Sequence, residues 1–143
     1  MRILKKQLVG SLCGLILVNG TAALSVENNF TSVFQGQGRG CWGKLYVREQ
    51  AIEWNTPYSV CSKSAYTVIQ SDLNSKTPRI AFALERKSKK CRYQVIELSF
   101  DPAYPDYWLA SGYQSLKDFE SRAALNDEMK LRTLTCGVQK VSQ

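Results

Sequence analysis

The stretch Arg79 to Glu85, which reads Arg-Ile-Ala-Phe-Ala-Leu-Glu, decides the fold of this chain. Ile80, Phe82 and Leu84 alternate with small residues, and this period of two predicts a β-strand with one strongly apolar face. Because such a face has to be covered, we expect the strand to lie in the core of a β-rich domain.

Further strands are indicated on both sides of this stretch. Leu45 and Val47 share a parity, Glu49-Gln50 can turn the chain, and the alternation resumes at Ile52, which predicts a hairpin. Other strands are predicted at Tyr66 to Gln70, Arg92 to Phe100, Tyr107 to Tyr113 and Met129 to Val138. In the strand that ends at Phe100, apolar residues fall on both parities, so either a β-bulge or burial on both faces is required.

One short helix is predicted late in the chain. Ser115 followed three residues later by Asp118 resembles a capping box, and Leu116, Phe119 and Ala123 recur at helical spacing. The expected fold is therefore mainly β, a small antiparallel meander of about six to seven strands with one short late helix, stabilised by disulfides. The pattern leaves a barrel and a sandwich equally open.

The beginning of the chain predicts export. Three basic residues precede the apolar run Leu8 to Val18, and small polar residues follow it up to Ser25. This order is typical of a secretory signal peptide, residues 1–25, with cleavage before Val26. The apolar run is shorter than the roughly 20 residues of a transmembrane helix, so no membrane anchor is expected.

The rest of the chain divides into an arm and one domain. Residues 26–40 are polar and rich in glycine, which predicts a flexible N-terminal arm. Residues 41–143 contain the predicted strands and the helix without a linker or a repeat, and are expected to form a single β-rich domain.

Removal of the signal peptide leaves four of the five cysteines, namely Cys41, Cys61, Cys91 and Cys136. An even number in an exported protein predicts two disulfides, and three pairings are possible. Proximity in the predicted meander favours Cys41 with Cys61 and Cys91 with Cys136. A metal site is not expected, because the sequence has no CxxC pair and no histidine.

Positive charge is concentrated in one segment. The chain has 19 basic and 12 acidic residues, and without the signal peptide 16 basic residues remain, which lowers the formal charge from +7 to +4. Five of them lie close together: Arg86, Lys87, Lys89, Lys90 and Arg92. Such a cluster attracts multivalent anions such as lipopolysaccharide phosphates, teichoic acids, acidic glycans or nucleic acid. The alternative is a solvated hairpin tip that protects a sheet edge.

A second candidate contact surface surrounds a turn with two prolines, Asp101 to Asp106. Tyr104, Tyr107 and Trp108 concentrate aromatic rings there. Exposed rings of this kind stack on sugars or anchor a protein partner, whereas buried ones are ordinary core residues.

Two short motifs point to known classes of protein. Residues 38–43 match the letters of G-x-G-x-x-G, but a strand and not a helix is predicted after them, so no nucleotide is expected. Gly40-Cys41-Trp42 is similar to the G-x-W motif of lipocalins, and Asp106-Tyr107 resembles part of their T-D-Y turn. The resemblance implies a barrel that carries a small ligand, although lipocalins are longer and have eight barrel strands.

The absence of histidine argues against catalysis, because it removes the commonest general base and the Ser-His and Cys-His dyads. A two-carboxylate mechanism would draw on residues such as Glu97, for which an outward-facing place on a strand is the simpler expectation. We therefore expect a secreted or periplasmic monomer without enzymatic activity or cofactor, which binds an anionic envelope or extracellular component. The alternatives are an inhibitor or immunity factor against an exported enzyme, and a lipocalin-like carrier.

Overall fold

A computed structural model describes residues 30–124 and 126–141 of the chain. The described strands are β1 (Ser32–Gly36), β2 (Gly43–Val47), β3 (Ile52–Thr56), β4 (Ser59–Ser64), β5 (Tyr66–Asp72), β6 (Arg79–Leu84), β7 (Val95–Phe100), β8 (Trp108–Tyr113) and β9 (Leu134–Val141). They form one antiparallel sheet in the order β4-β3-β2-β1-β9-β8-β7-β6-β5. The predicted signal peptide and its cleavage site lie outside the described residues.

Two short helices and one 3₁₀ turn lie between β8 and β9. They are α1 (Leu116–Glu120), the 3₁₀ turn Arg122–Ala124, and α2 (Asp127–Arg132). The hydroxyl of Ser115 accepts a hydrogen bond from the backbone N–H of Asp118 (3.1 Å), which confirms the predicted helix start. Asn126 caps α2 in the same way through Met129. The prediction that a strand begins at Met129 is therefore wrong, since β9 begins only at Leu134.

β4 and β5 are in effect one bent strand. They run in the same direction, since every neighbouring pair in the sheet order is antiparallel, and only Ala65 separates them. β4 pairs with β3, and β5 pairs with β6. The chain after β6 continues along the other edge of β4, where the N–H of Glu85 donates to Ala65 and the N–H of Val60 donates to Lys90, both at 3.0 Å. The sheet therefore closes almost completely into a barrel and is not a sandwich.

Large side chains fill the interior of the barrel. Ile80 and Phe82 from the stretch that opened the sequence are 0% exposed, and Leu84 is 6% exposed, which confirms their predicted place in the core. The largest fully buried side chains are Trp54, Phe34, Phe82, Leu45, Ile52, Ile80, Ile96 and Leu98. Burial at about 25 cal/mol per Å² of apolar surface makes this core the main source of stability.

β7 is buried on both of its faces. Ile96 and Leu98 point into the barrel core, whereas Val95 belongs to a second apolar cluster with Tyr113 and Phe119. Phe119 lies in α1, so this helix covers the outside of the barrel at β7 and β8. Within β7 the mixed parity therefore reflects burial on both faces and not a bulge. The predicted start at Arg92 is wrong, since β7 begins at Val95, and Tyr93 lies before the strand and packs in the barrel core.

Within the described residues the sheet has nine strands, and there are two helices besides the 3₁₀ turn. The predicted six to seven strands and single helix are therefore too few. β1 lies inside the predicted flexible arm and pairs with β2 and β9, so that prediction is wrong for Ser32–Gly36. β4 was missed because its inward side chains, Ser59, Cys61 and Ser64, are small and mostly polar.

The disulfides join Cys41 to Cys136 and Cys61 to Cys91. The predicted pairing is therefore wrong. A simple meander would place the last strand at the far edge of the sheet, whereas β9 pairs with β1 and brings Cys136 next to the turn that contains Cys41. Cys61 lies in β4, beside the segment after β6 that contains Cys91.

Candidate anion-binding site

The basic segment, residues 86–92, has a fixed backbone along the edge of β4. The hydroxyl of Ser88 donates to the carbonyl of Val60 at 2.8 Å. At the end of the segment, the backbone N–H of Arg92 donates to the hydroxyl of Ser59 (2.9 Å). The disulfide between Cys61 and Cys91 adds a covalent link to β4. The segment is therefore not a free hairpin tip, although it does cover a sheet edge.

The charged side chains of the basic segment point to solvent. All five are exposed: Arg86, Lys87, Lys89, Lys90 and Arg92. None of them takes part in the ion pairs found within residues 30–124 and 126–141. The structure thus presents five cationic groups without a carboxylate partner in the described part of the chain.

A pocket of about 170 Å³ adjoins the basic segment at Arg92. It lies where the β3–β4 turn, the end of the basic segment, and the connection from α2 to β9 meet. Its lining is formed by Tyr58, Arg92, Tyr93, Leu131, Arg132, Thr133 and Leu134. We call it the Tyr58 pocket.

Two tyrosines line the Tyr58 pocket, and they differ in exposure. Tyr58 is 62% exposed, and its ring passes so close to Gly40 that a Cβ atom there would lie 3.0 Å from the ring. Tyr93 is buried (3% exposed), and its ring centroid lies 5.5 Å from that of Trp54. Burial raises the pKa of Tyr93, and the positive charge of Arg92 only partly opposes this shift. Tyr93 therefore contributes a neutral phenol.

Two arginines give the Tyr58 pocket its charge. Asp118, whose side chain is only 10% exposed, accepts a hydrogen bond from the Nη2 of Arg132 at 3.1 Å. This contact holds the guanidinium of Arg132 in place, and the group has further N–H donors, since a guanidinium carries five. Arg92 has no carboxylate partner among the described residues. Around the pocket, therefore, one of the two arginine charges is offset and the other is not.

The three residues of the predicted aromatic surface at the turn after β7 do not all face solvent. Tyr104 and Tyr107 are exposed, at 67% and 39%. Trp108 instead points inward, with ring centroids 5.6 Å from Phe30 and 5.4 Å from Phe100. The three residues thus do not form one contact surface, and Trp108 packs against the barrel core.

Glu97 lies outside the barrel and is nevertheless buried, because Tyr113, Arg79 and Arg122 surround its carboxylate. Its carboxylate accepts a hydrogen bond from the hydroxyl of Tyr113 (2.9 Å) and lies 3.4 Å from Arg79 and from Arg122. Burial raises the pKa of Tyr113, and the charge of Glu97 raises it further. Arg122 also contacts the ring of Phe119, with 3.9 Å between the guanidinium carbon and the ring centroid. These contacts fasten the helical segment to the barrel.

Of the seven residues that line the Tyr58 pocket, the sequence reasoning named only Arg92 as a site residue and missed the other six, among them Tyr58, Leu131 and Arg132. Leu131 is 86% exposed, and it was assigned to a strand that the structure replaces with α2. A helix start was readable at Asn126, because this capping residue is followed by the acidic residues Asp127 and Glu128. The basic residues Lys130 and Arg132 at the other end are typical of the last turn of a helix.

The G-x-G-x-x-G letters belong to the turn between β1 and β2. The N–H of Cys41 donates to the carbonyl of Gly38 (3.2 Å), and a strand follows. Gly43 has φ of 141°, and a Cβ atom there would overlap the carbonyl of Asn55. The glycines therefore serve a tight turn and a close approach of two strands.

Comparison with known proteins yields no matching family model, no matching curated protein and no matching solved structure. Within the residues that the structure describes, no helix is long and apolar enough to span a membrane. The same residues contain no cluster of three or more metal-ligating side chains. The functional argument therefore depends on the geometry of the basic segment and the Tyr58 pocket.

Proposed function

We propose that this protein is an exported binding module without enzymatic activity, whose basic segment binds an anionic component of the cell envelope or the extracellular space. The observation that carries the proposal is the row of five exposed cations on a backbone held by hydrogen bonds and a disulfide. Disulfides of this kind persist in oxidising compartments, which supports the predicted export.

A fixed backbone favours binding for a physical reason. Binding normally costs the conformational entropy of the groups that become ordered. In the basic segment this cost is reduced before the ligand arrives, because Ser88 and Cys91 already fix the chain against β4. The side chains then supply attraction to repeated negative charges, which is screened over about 10 Å at 0.1 M salt.

A salt-gradient binding experiment tests this function. Oxidised protein that begins at Val26 is immobilised and exposed to envelope extract, and bound material is eluted with increasing salt. We expect an anionic polymer to elute at moderate salt, and the triple variant K87S/K89S/K90S to retain at least tenfold less of it. The matched control K44S/K76S/K117S removes the same charge from exposed positions elsewhere. Equal loss in both variants, or no polymer at all, would contradict the proposal.

A second candidate is an inhibitor or immunity factor that binds an exported protein. It is favoured by large apolar side chains exposed near the same end of the barrel, namely Trp42 (66%), Tyr58 (62%), Val60 (39%) and Leu131 (86%). Such residues act as anchors in protein interfaces. A stoichiometric protein that stays bound at high salt would support this function over the first. The carrier alternative has less support, since large side chains fill the barrel interior.

A further inference from the structure

We infer that the Tyr58 pocket is a subsite for one six-membered sugar ring that carries a carboxylate, at the end of an acidic glycan that continues along the basic segment. This inference rests on the binding function proposed above and names its ligand. Four properties of the pocket lead to it: its size, its charge, its walls and its position.

The size of the Tyr58 pocket suits a single ring. Its volume is about 170 Å³, whereas pockets for drug-sized ligands usually measure about 300 to 1,000 Å³. The exposure of Tyr58 and Leu131 leaves the rim open to solvent. A polymer therefore places one terminal unit in the pocket while the rest of the chain stays outside.

The charge of the Tyr58 pocket suits one negative group. Asp118 offsets the charge of Arg132 and at the same time orients its guanidinium (3.1 Å), so the uncompensated charge comes from Arg92. A planar guanidinium binds a carboxylate with two parallel hydrogen bonds. A phosphate monoester carries more than one negative charge, whereas only one positive charge, that of Arg92, is left without a partner. A carboxylate, with its single negative charge, is therefore the better match.

The walls of the Tyr58 pocket suit a sugar. Tyr58, which is 62% exposed, offers an aromatic surface on which an apolar sugar face can pack, and its phenol has a hydroxyl for hydrogen bonds. Leu131 and Leu134 complete an apolar lining. A purely ionic site for inorganic anions would not need this apolar surface.

The position of the Tyr58 pocket connects it to the basic segment. Arg92 lines the pocket and also ends the segment, and the disulfide at Cys91 fixes the backbone at this junction. A glycan whose last ring occupies the pocket would bring its next carboxylates towards Lys89 and Lys90, which are exposed.

The test uses defined oligosaccharides and the oxidised protein that begins at Val26. The probes are tri-galacturonic acid, the neutral trisaccharide maltotriose, and a thymidine trinucleotide, each titrated by calorimetry and by amide chemical shifts. We expect tri-galacturonic acid to bind at least tenfold more tightly than the other two, with shifts at Tyr58 and Thr133. Equal binding of maltotriose or of the trinucleotide would overturn the assignment to an acidic sugar.

Variants then locate the site. Y58A and R132K are each expected to weaken tri-galacturonic acid binding at least fivefold, and thermal unfolding checks that both remain folded. Y104A is the matched control, because Tyr104 is exposed to a similar extent (67% against 62%) outside the pocket. R132K retains the positive charge but removes the two-pronged guanidinium group. A loss of binding in this variant therefore reports the geometry of the hydrogen bonds and not the electrostatic attraction.

The outcomes separate this inference from the proposed function. If K87S/K89S/K90S abolishes binding of envelope polymer and Y58A and R132K leave both polymer and trisaccharide binding unchanged, the pocket is not the subsite and the proposed function stands. If wild-type protein retains no anionic polymer, the proposed function fails, and the inference falls with it.

Discussion

The outer face near α1 and the surface around the Tyr58 pocket both contain arginine and tyrosine side chains. The two regions differ in whether a buried carboxylate offsets every arginine. Under α1, Arg79 and Arg122 both face the buried carboxylate of Glu97, which also receives the hydroxyl of Tyr113. Around the pocket, the exposed Arg92 has no such partner among the described residues. Arginine and tyrosine side chains that share a buried carboxylate stabilise a fold, whereas an arginine without a carboxylate can bind a ligand.

Removal of either disulfide should cause the largest loss in the free energy of unfolding. Loop-closure entropy assigns about 4.5 kcal/mol to the Cys41–Cys136 bridge, which spans 95 residues, and about 3.5 kcal/mol to the Cys61–Cys91 bridge, which spans 30. Urea unfolding of C41A/C136A and C61A/C91A measures both losses. Only C61A/C91A should also weaken polymer binding, because only that bridge holds the basic segment. Equal weakening in both variants would show that the bridge has no specific role in binding.

The variant E97Q should have the next largest effect and should act on the other region. Loss of the carboxylate charge removes the partner of Arg79 and Arg122, and we expect the free energy of unfolding to fall by about 2 kcal/mol. This is below the 3 to 5 kcal/mol typical of a fully buried pair, because the side chain of Arg79 is 43% exposed.

The control for this variant is E53Q, whose pair with Arg48 (3.6 Å) is more exposed and should contribute less than about 1 kcal/mol. Urea unfolding measures both changes, and oligosaccharide binding should stay unchanged in both. A loss of binding in E97Q at full stability would show that the two regions are not independent.

The variant S59A should have a smaller effect at the junction of β4 and the pocket. Ser59 is 3% exposed, and its hydroxyl accepts the N–H of Arg92. Its loss should cost about 1 kcal/mol and should shift Arg92 enough to weaken tri-galacturonic acid binding two- to threefold. S62A, at an exposed position three residues along, should change neither quantity. Calorimetry measures the affinity and urea unfolding measures the stability of both variants. Unchanged affinity in S59A would show that this hydrogen bond does not position Arg92 for binding.

A rise to alkaline pH should have the smallest effect on the free energy of unfolding, and this effect should come from Tyr113. The pKa of Tyr113 is raised in the folded state by burial and by the charge of Glu97. Above pH of about 10 the unfolded chain therefore releases this proton more readily, and the free energy of unfolding falls as pH rises. The contribution is complete below that pH. Thermal unfolding between about pH 8 and pH 11 should show a shallower decline for Y113F than for the wild type, and parallel curves would contradict this assignment.

Some of the fold could be predicted because the signal was local. The alternation around Ile80, Phe82 and Leu84 and the cap formed by Ser115 depend on near neighbours in the chain, and the structure confirms both. β1 and β4 have weak local patterns, because their inward positions include serine, cysteine and glycine. Only pairing with neighbouring strands makes them part of the sheet.

The candidate site was predictable only in part, for the same reason. The five cations of the basic segment are consecutive enough to be recognised in the sequence. Tyr58 and Arg132 lie far apart in the chain and meet through the closure of the barrel. Glu97 faces outward, as the pleat suggests, yet Tyr113, Arg79 and Arg122 bury it, which no pattern within β7 indicates.

By itself, the sequence determined that the protein is mainly β, that it has an even set of four cysteines after the predicted cleavage, and that its positive charge is concentrated at residues 86–92. These properties depend on composition and on short-range periodicity. The tertiary structure alone decided the disulfide pairing, the barrel closure and the Tyr58 pocket. Each of these depends on β9 returning to β1 and on the segment after β6 pairing with β4, contacts between residues that are distant in the chain.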